Sequence, residues 1–125
     1  MSELKKIYGI SIKEKDVEFE GNPLTYGIYR GALRYGEGES FRLGLETVDY
    51  SQIINYCIVR CHKNWNIKVK DEHIQDMPEL EKYRGQIIPC TMKTLDIIDN
   101  KQYMPLFRRF DSEFLGKLNA GQVKN

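Results

Sequence analysis

The chain has 125 residues and a mass of 14.7 kDa, a length that suits a single domain spanning residues 1–125. Hydrophobic residues make up 41% and charged residues 30%, a balance that excludes an intrinsically disordered chain. Nineteen basic residues against eighteen acidic ones leave a net charge of +1, which argues against a protein that coats polyanions.

The N-terminal third predicts β-strands. Apolar and polar residues alternate over residues 7–13 and again over residues 17–20, which is the period of a half-buried strand. Residues 25–35 and 41–46 are predicted as a third and a fourth strand, and the glycines of residues 36–38 as the hairpin loop between them. Because such short connections cannot hold parallel crossovers, we expect an antiparallel meander.

The remainder of the chain begins with a helix over residues 50–62, with Asp49 in a capping box. Apolar residues alternate with lysines and asparagines over residues 65–70, which predicts a fifth strand. Proline in a first turn marks a helix start at residues 76–79, and Gly85 marks its stop.

The last third predicts mostly helix. We expect an extended segment at residues 87–90, helices at 92–99 and 111–118, and a loose tail at about 119–125. The predicted class is therefore α+β, with a small antiparallel sheet and with helices from the C-terminal half packed on one face.

The three cysteines, Cys57, Cys61 and Cys90, are interpreted as reduced thiols of a cytoplasmic protein, because no apolar run forms a secretory signal. No run approaches the roughly 20 residues of a membrane span, so we expect no membrane association. Cys57 and Cys61 share a predicted helix face with Ile54 and Ile58, which indicates buried structural thiols. We predict no metal, no cofactor and no catalytic residue.

Arginines and aromatic residues are combined in the third predicted strand. Arg30 and Arg34 point to one side and lie roughly 13 Å apart on a strand, so that they would hold two anionic groups. Tyr29 and Tyr35 would add flat apolar contact. The competing interpretation is that the tyrosines pack the sheet and the arginines pair with Glu37, Glu39 and Glu46.

Two further basic segments are candidate binding elements. Lys68 and Lys70 lie on one strand face near Trp65, a combination that grips phosphates and stacks a base, although the acidic residues 71–81 could simply neutralise them. Residues 107–110 again place arginines between aromatic rings. The predicted ligand-binding residues are Arg30, Arg34, Arg108, Arg109, Tyr29, Tyr35, Trp65, Lys68 and Lys70.

The leading hypothesis is a non-catalytic protein that binds a macromolecular partner or a phosphate-bearing, nucleotide-like ligand; nucleic acid is a less favoured partner. We expect a homo-oligomer, because self-association would pair the open edges of the sheet and bury some of the eight tyrosine rings. One alternative is a metal-dependent enzyme acting on nucleic acid or nucleotides, with Glu18, Glu20 and Lys68 as candidates. Another is a virion-type assembly protein.

Composition also bears on origin. Ile, Lys, Asn and Tyr together number 40 and Ala only 2, which is typical of a low-GC genome. An accessory protein of a phage or mobile element that blocks or sequesters a host component fits this composition.

Overall fold

The computed structural model describes residues 9–44 and 50–115. The elements are, in chain order, β1 (Ile10–Glu14), β2 (Val17–Gly21), α1 (Tyr26–Arg42), α2 (Tyr50–Cys61), β3 (His62–Trp65), α3 (Asp71–Asp76), a 3₁₀ helix (Pro78–Tyr83), α4 (Met92–Ile97), α5 (Asn100–Phe110) and a π-helical turn (Asp111–Leu115). The predicted helix cap at Asp49 and the predicted tail at 119–125 lie outside the described residues.

Within the described residues the sheet has three antiparallel strands in the order β1-β2-β3. Ile12 pairs with Phe19, which pairs in turn with Trp65. All three side chains are buried, while the residues between them on β1 and β2 are exposed, as the alternation of the sequence predicts. Helix α5 packs on β1 and β2, and the α+β class is confirmed.

The prediction of a strand over residues 25–35 is wrong, because residues 26–42 form helix α1. The predicted strand over residues 41–46 is wrong for its described part, which is the end of this helix and a turn at 43–44, and its remainder lies outside the described residues. Thr25 begins the helix, and its hydroxyl accepts the backbone N–H of Ile28 at 3.2 Å. Tyr29, Ala32 and Gly36 are buried at helical spacing against α2. The aromatic residues and glycines that favour a strand locally are overruled by this packing.

The glycines of α1 do not form a hairpin loop. Residues 36–38 lie inside the helix, and the described glycines with positive φ are Gly44, just beyond the helix, and Gly85, after the 3₁₀ helix. Gly31 allows α2 to approach, since a Cβ there would lie 3.1 Å from the hydroxyl oxygen of Tyr56. The sheet therefore takes its third strand from residues 62–65 and not from this region.

The core forms one cluster of buried side chains around α2. The predicted inward face of this helix is confirmed: Ile54, Cys57, Ile58 and Cys61 are all at most 1% exposed. Residues 65–70 also alternate between buried and exposed as predicted, although β3 ends at Trp65. Beyond it an isolated antiparallel bridge pairs Lys68 with Ile87 and is flanked by backbone hydrogen bonds such as that from Ile88 to Ile67. No helix among the described residues is long and apolar enough to cross a membrane.

Candidate functional site: a basic groove beside the first hairpin

The turn between β1 and β2 meets helix α5, and a groove runs between them. Two adjoining cavities of about 230 and 350 Å³ share Lys15 and Pro105. Lys15 stands in the turn with φ of 53°, so the backbone adopts the left-handed conformation there. The groove is lined by Glu14, Lys15, Asp16, Val17, Lys70, Glu72, Asp99, Lys101, Gln102, Pro105, Arg108, Arg109 and Ser112.

Positive charge in this groove is only partly neutralised. Within the described ranges, 9–44 and 50–115, Lys15, Lys70, Lys101 and Arg108 have no carboxylate within ion-pair distance. The donors of these four cations are not engaged by a carboxylate of the described residues, so an anion that enters the groove can accept hydrogen bonds from more than one of them. The arrangement is therefore suited to a ligand with more than one negative group.

Arg109 has a different role from its neighbour Arg108. Its guanidinium donates to Glu14 of β1 at 3.2 Å and to Glu113 of the π-helical turn. The hydrogen bond and charge of Glu113, followed by those of Glu14, raise the pKa of Arg109 above its usual value. Arg109 thus joins the C-terminal end of α5 to the sheet. It also neutralises Glu14, one of the four carboxylates that line the groove.

A second groove carboxylate, that of Asp99, is hydrogen-bonded to the N-terminus of α5. Asp99 accepts the backbone N–H of Lys101 at 2.8 Å and caps the helix, so that its charge faces the helix N-terminus. One turn later, Pro105 has no N–H to donate to the carbonyl of Lys101. The helix therefore lacks this one backbone hydrogen bond in its second turn.

Three of the predicted ligand-binding residues, Lys70, Arg108 and Arg109, are brought together here. Lys15 and Lys101 belong to the same groove and were missed by sequence reasoning. The position of Lys15 in a tight turn between two predicted strands is only a weak indication of a binding residue, because most turn residues project into solvent. No local pattern in the sequence marks Lys101, because only the packing of α5 on the hairpin brings this residue to the groove.

Arg30 and Arg34 lie elsewhere, on the exposed side of α1. The expected separation of about 13 Å is wrong, since on a helix residues four apart are neighbours, with Cβ atoms roughly 6 Å apart. Arg30 lies over the ring of Tyr26, 5.7 Å from its centroid. Neither arginine pairs with a glutamate among the described residues: Glu39 pairs with Arg42, and Glu37 forms no ion pair there. The third predicted partner, Glu46, lies outside the described residues.

Two of the three aromatic residues of the predicted site, Tyr29 and Trp65, are buried in the hydrophobic core, and the third, Tyr35, is half-buried. Tyr29 is 4% exposed and Trp65 is 2% exposed, with the indole N–H of Trp65 donating to the carbonyl of Ile88 at 2.8 Å. Tyr35 is half-buried against Tyr56, at 5.3 Å between ring centroids. The rings of Tyr29 and Trp65 are therefore not available at the surface for stacking. Trp65 also points inward, whereas Lys68 points outward.

Of the candidates for metal chemistry, Glu18 and Glu20 are neighbours on the exposed face of β2. Glu18 forms an ion pair with Lys13 at 3.3 Å, and Lys68 is exposed on the bridge to Ile87, not in the groove. In the parts of the chain that the structure describes, no three His, Cys, Asp or Glu side chains are grouped to hold a metal ion. Burial raises the pKa of Cys57 to about 12 and that of Cys61 to about 11, so both thiols stay protonated.

The geometry supports recognition of an anion by lysine and arginine side chains, and the charge-assisted contacts would be tuned by two remaining carboxylates, Asp16 and Glu72. Those carboxylates lower the net positive charge of the groove. Comparison with known proteins adds no relative to this description. No protein-family model, no curated protein and no solved structure matches the chain.

Proposed function

We propose that the protein binds a phosphate-bearing ligand in the groove between the β1–β2 turn and α5. The observation that carries this proposal is the set of four cations, Lys15, Lys70, Lys101 and Arg108, that line one groove without ion-pair partners among the described residues. Phosphate groups accept several hydrogen bonds at once, and their negative charge complements the positive charge of these four side chains.

The spacing of the cations favours a ligand with at least two anionic groups. Lys101 and Arg108 are seven residues apart on α5, which corresponds to two helical turns and roughly 10 Å along the axis. Both lie on the groove side of the helix, so two phosphates can contact one cation each, whereas a single phosphate contacts both only if the two long side chains converge. A diphosphate, a nucleotide or a short stretch of nucleic-acid backbone would span them.

The test uses pyrophosphate and a nucleoside triphosphate as probes, with binding followed by chemical-shift changes of backbone amides. We expect shifts to concentrate at the hairpin turn and on α5, and the affinity to fall as salt rises. The variant Lys15→Gln, Lys101→Gln should bind at least tenfold more weakly, because each lost charge-assisted contact contributes on the order of 1.5–3 kcal/mol.

A matched control keeps the same change of net charge outside the groove. Lys63 and Lys93 are exposed and do not line it, so Lys63→Gln, Lys93→Gln should bind like the native protein. If both double variants lost affinity for the probes equally, the loss would be an effect of net charge, and binding in this groove would be contradicted. Turnover of the nucleotide when Mg²⁺ is added would instead favour the enzyme alternative.

The proposal also includes self-association and a reducing compartment. Large apolar side chains remain exposed on the surface: Tyr26, Phe41, Leu43, Tyr50 and Ile87. All three cysteines are free thiols, which supports a cytoplasmic location. A homo-oligomer that binds an anionic ligand fits the hypothesis of an accessory protein that sequesters a component of its host.

A further inference from the structure

The outer face of α1 carries two arginines and an aromatic ring. Arg30 and Arg34 are one turn apart, and Phe41 lies two turns beyond Arg34, so all three share one side of the helix. Phe41 is 89% exposed, and Tyr26, beside Arg30, is 67% exposed. The opposite side of α1 packs on α2, which leaves this face open to solvent.

Two features of this face are not explained by the fold of one chain. The guanidinium groups of Arg30 and Arg34 have no carboxylate partner among the described residues. Gly38, between Arg34 and Phe41, weakens the helix, although a Cβ at this position would meet no described atom within 4 Å. A glycine without a packing role in its own chain lets another backbone come close to the helix.

A complementary surface exists on the chain itself. Asp76 and Glu79 are exposed at the junction of α3 and the 3₁₀ helix, and neither has an ion-pair partner within the described residues. Their acidic neighbours Asp71 and Glu81, in contrast, are paired with Arg84. The strand-like segment that follows the 3₁₀ helix adds an apolar group, Ile87, which is 40% exposed.

We propose that the outer face of α1 docks onto the acidic junction of α3 and the 3₁₀ helix in a second copy of this chain. Arg30 and Arg34 meet Asp76 and Glu79, and Phe41 provides apolar cover. The inference rests on the self-association included in the proposed function and names its surfaces. Because the two surfaces differ, the contact is heterologous, and it extends into a longer assembly unless the geometry closes a ring.

Mixing two variants tests this pairing. Arg30→Gln, Arg34→Gln removes the basic surface and keeps the acidic one, whereas Asp76→Asn, Glu79→Gln does the reverse. In sedimentation experiments over a range of concentrations, the native protein should grow beyond one chain, and salt should reverse the growth. Each variant alone should stay near 14.7 kDa, with an association constant lowered at least about tenfold. An equimolar mixture should form a species of twice that mass, because only one complementary pair of surfaces remains.

The control Lys63→Gln, Lys93→Gln changes the net charge as the arginine variant does and should associate like the native chain. A native protein that stays monomeric at every concentration would overturn both this pairing and the self-association. Association that persists in the arginine variant would overturn the pairing alone and leave self-association in place. Neither result bears on the groove, since pyrophosphate binding is measured separately and depends on Lys15 and Lys101.

Discussion

The hydroxyl of Tyr103 donates a hydrogen bond to the side-chain oxygen of Asn55 at 2.5 Å and so joins α5 to α2 across 48 residues of sequence. Tyr103 is only 6% exposed. Its burial, followed by the charges of Cys90 and Asp96, raises the pKa of the phenol, so the proton needed for this bond is retained at neutral and moderately alkaline pH. The bond fixes the helix that forms one wall of the groove.

Tyr103→Phe should destabilise the fold, because the ring is kept while the partner of Asn55 is lost. We expect a loss of about 1–3 kcal/mol in the free energy of unfolding, measured with urea. In a double-mutant cycle with Asn55→Ala, the combined loss should be smaller than the sum of the two single losses. Additive losses would show that the two side chains do not interact.

Thr94 should be sensitive to the loss of its hydroxyl. The side chain is 2% exposed, and its oxygen accepts the N–H of Thr91 at 2.9 Å and donates to the carbonyl of Pro89 at 2.5 Å. Thr94→Val keeps the shape but leaves both groups without a partner, which should cost about 1–3 kcal/mol in urea denaturation. Thr94→Ser keeps the hydroxyl and should be the milder change. A valine variant as stable as the native protein would contradict this role.

Two glycines should respond to alanine in opposite directions. At Gly38 the added methyl meets no described atom within 4 Å, so Gly38→Ala should raise stability by about 1 kcal/mol through helix propensity. At Gly21 the Cβ would lie 2.8 Å from the backbone carbonyl oxygen of Cys61 and 2.9 Å from the ring of Phe19. Gly21→Ala should therefore lower stability by roughly 1–3 kcal/mol. Thermal melting of the two variants measures the contrast, which fails if both melting temperatures move the same way.

Stability should decline in alkaline solution because of the buried thiols. In the unfolded chain they ionise near the ordinary value of 9.0, whereas the fold holds the pKa of Cys57 at about 12 and that of Cys61 at about 11. Above pH 9 the unfolded state therefore binds fewer protons than the folded state, and the free energy of unfolding falls as the pH rises towards 11. Denaturant midpoints measured at pH 7 and pH 10 should show the decline.

The variant Cys57→Ala separates this effect from other titrations. Its stability at pH 7 should be lower because a buried side chain is shortened, while its decline between pH 7 and pH 10 should be shallower. A slope equal to that of the native protein would assign the alkaline loss to other groups.

Local pattern was sufficient where one face of an element is buried and its period is unambiguous. The alternation of β1 and β2 and the inward face of α2 were predicted from spacing alone, because burial repeats every second residue in a strand and every third or fourth in a helix. The stop at Gly85 was predicted from the residue type, because glycine readily adopts the positive φ found there. The α+β class followed from these elements.

Helix α1 and the groove depended on tertiary structure. Residues 26–42 contain four glycines and three tyrosines, a composition whose local preference is against helix, and the packing against α2 outweighs that preference by burying Tyr29 and Ala32. Lys15 and Lys101 are 86 positions apart, so no local pattern could relate them. They line one groove because α5 packs across the hairpin, and sequence spacing carries no information about which distant surfaces such packing brings together.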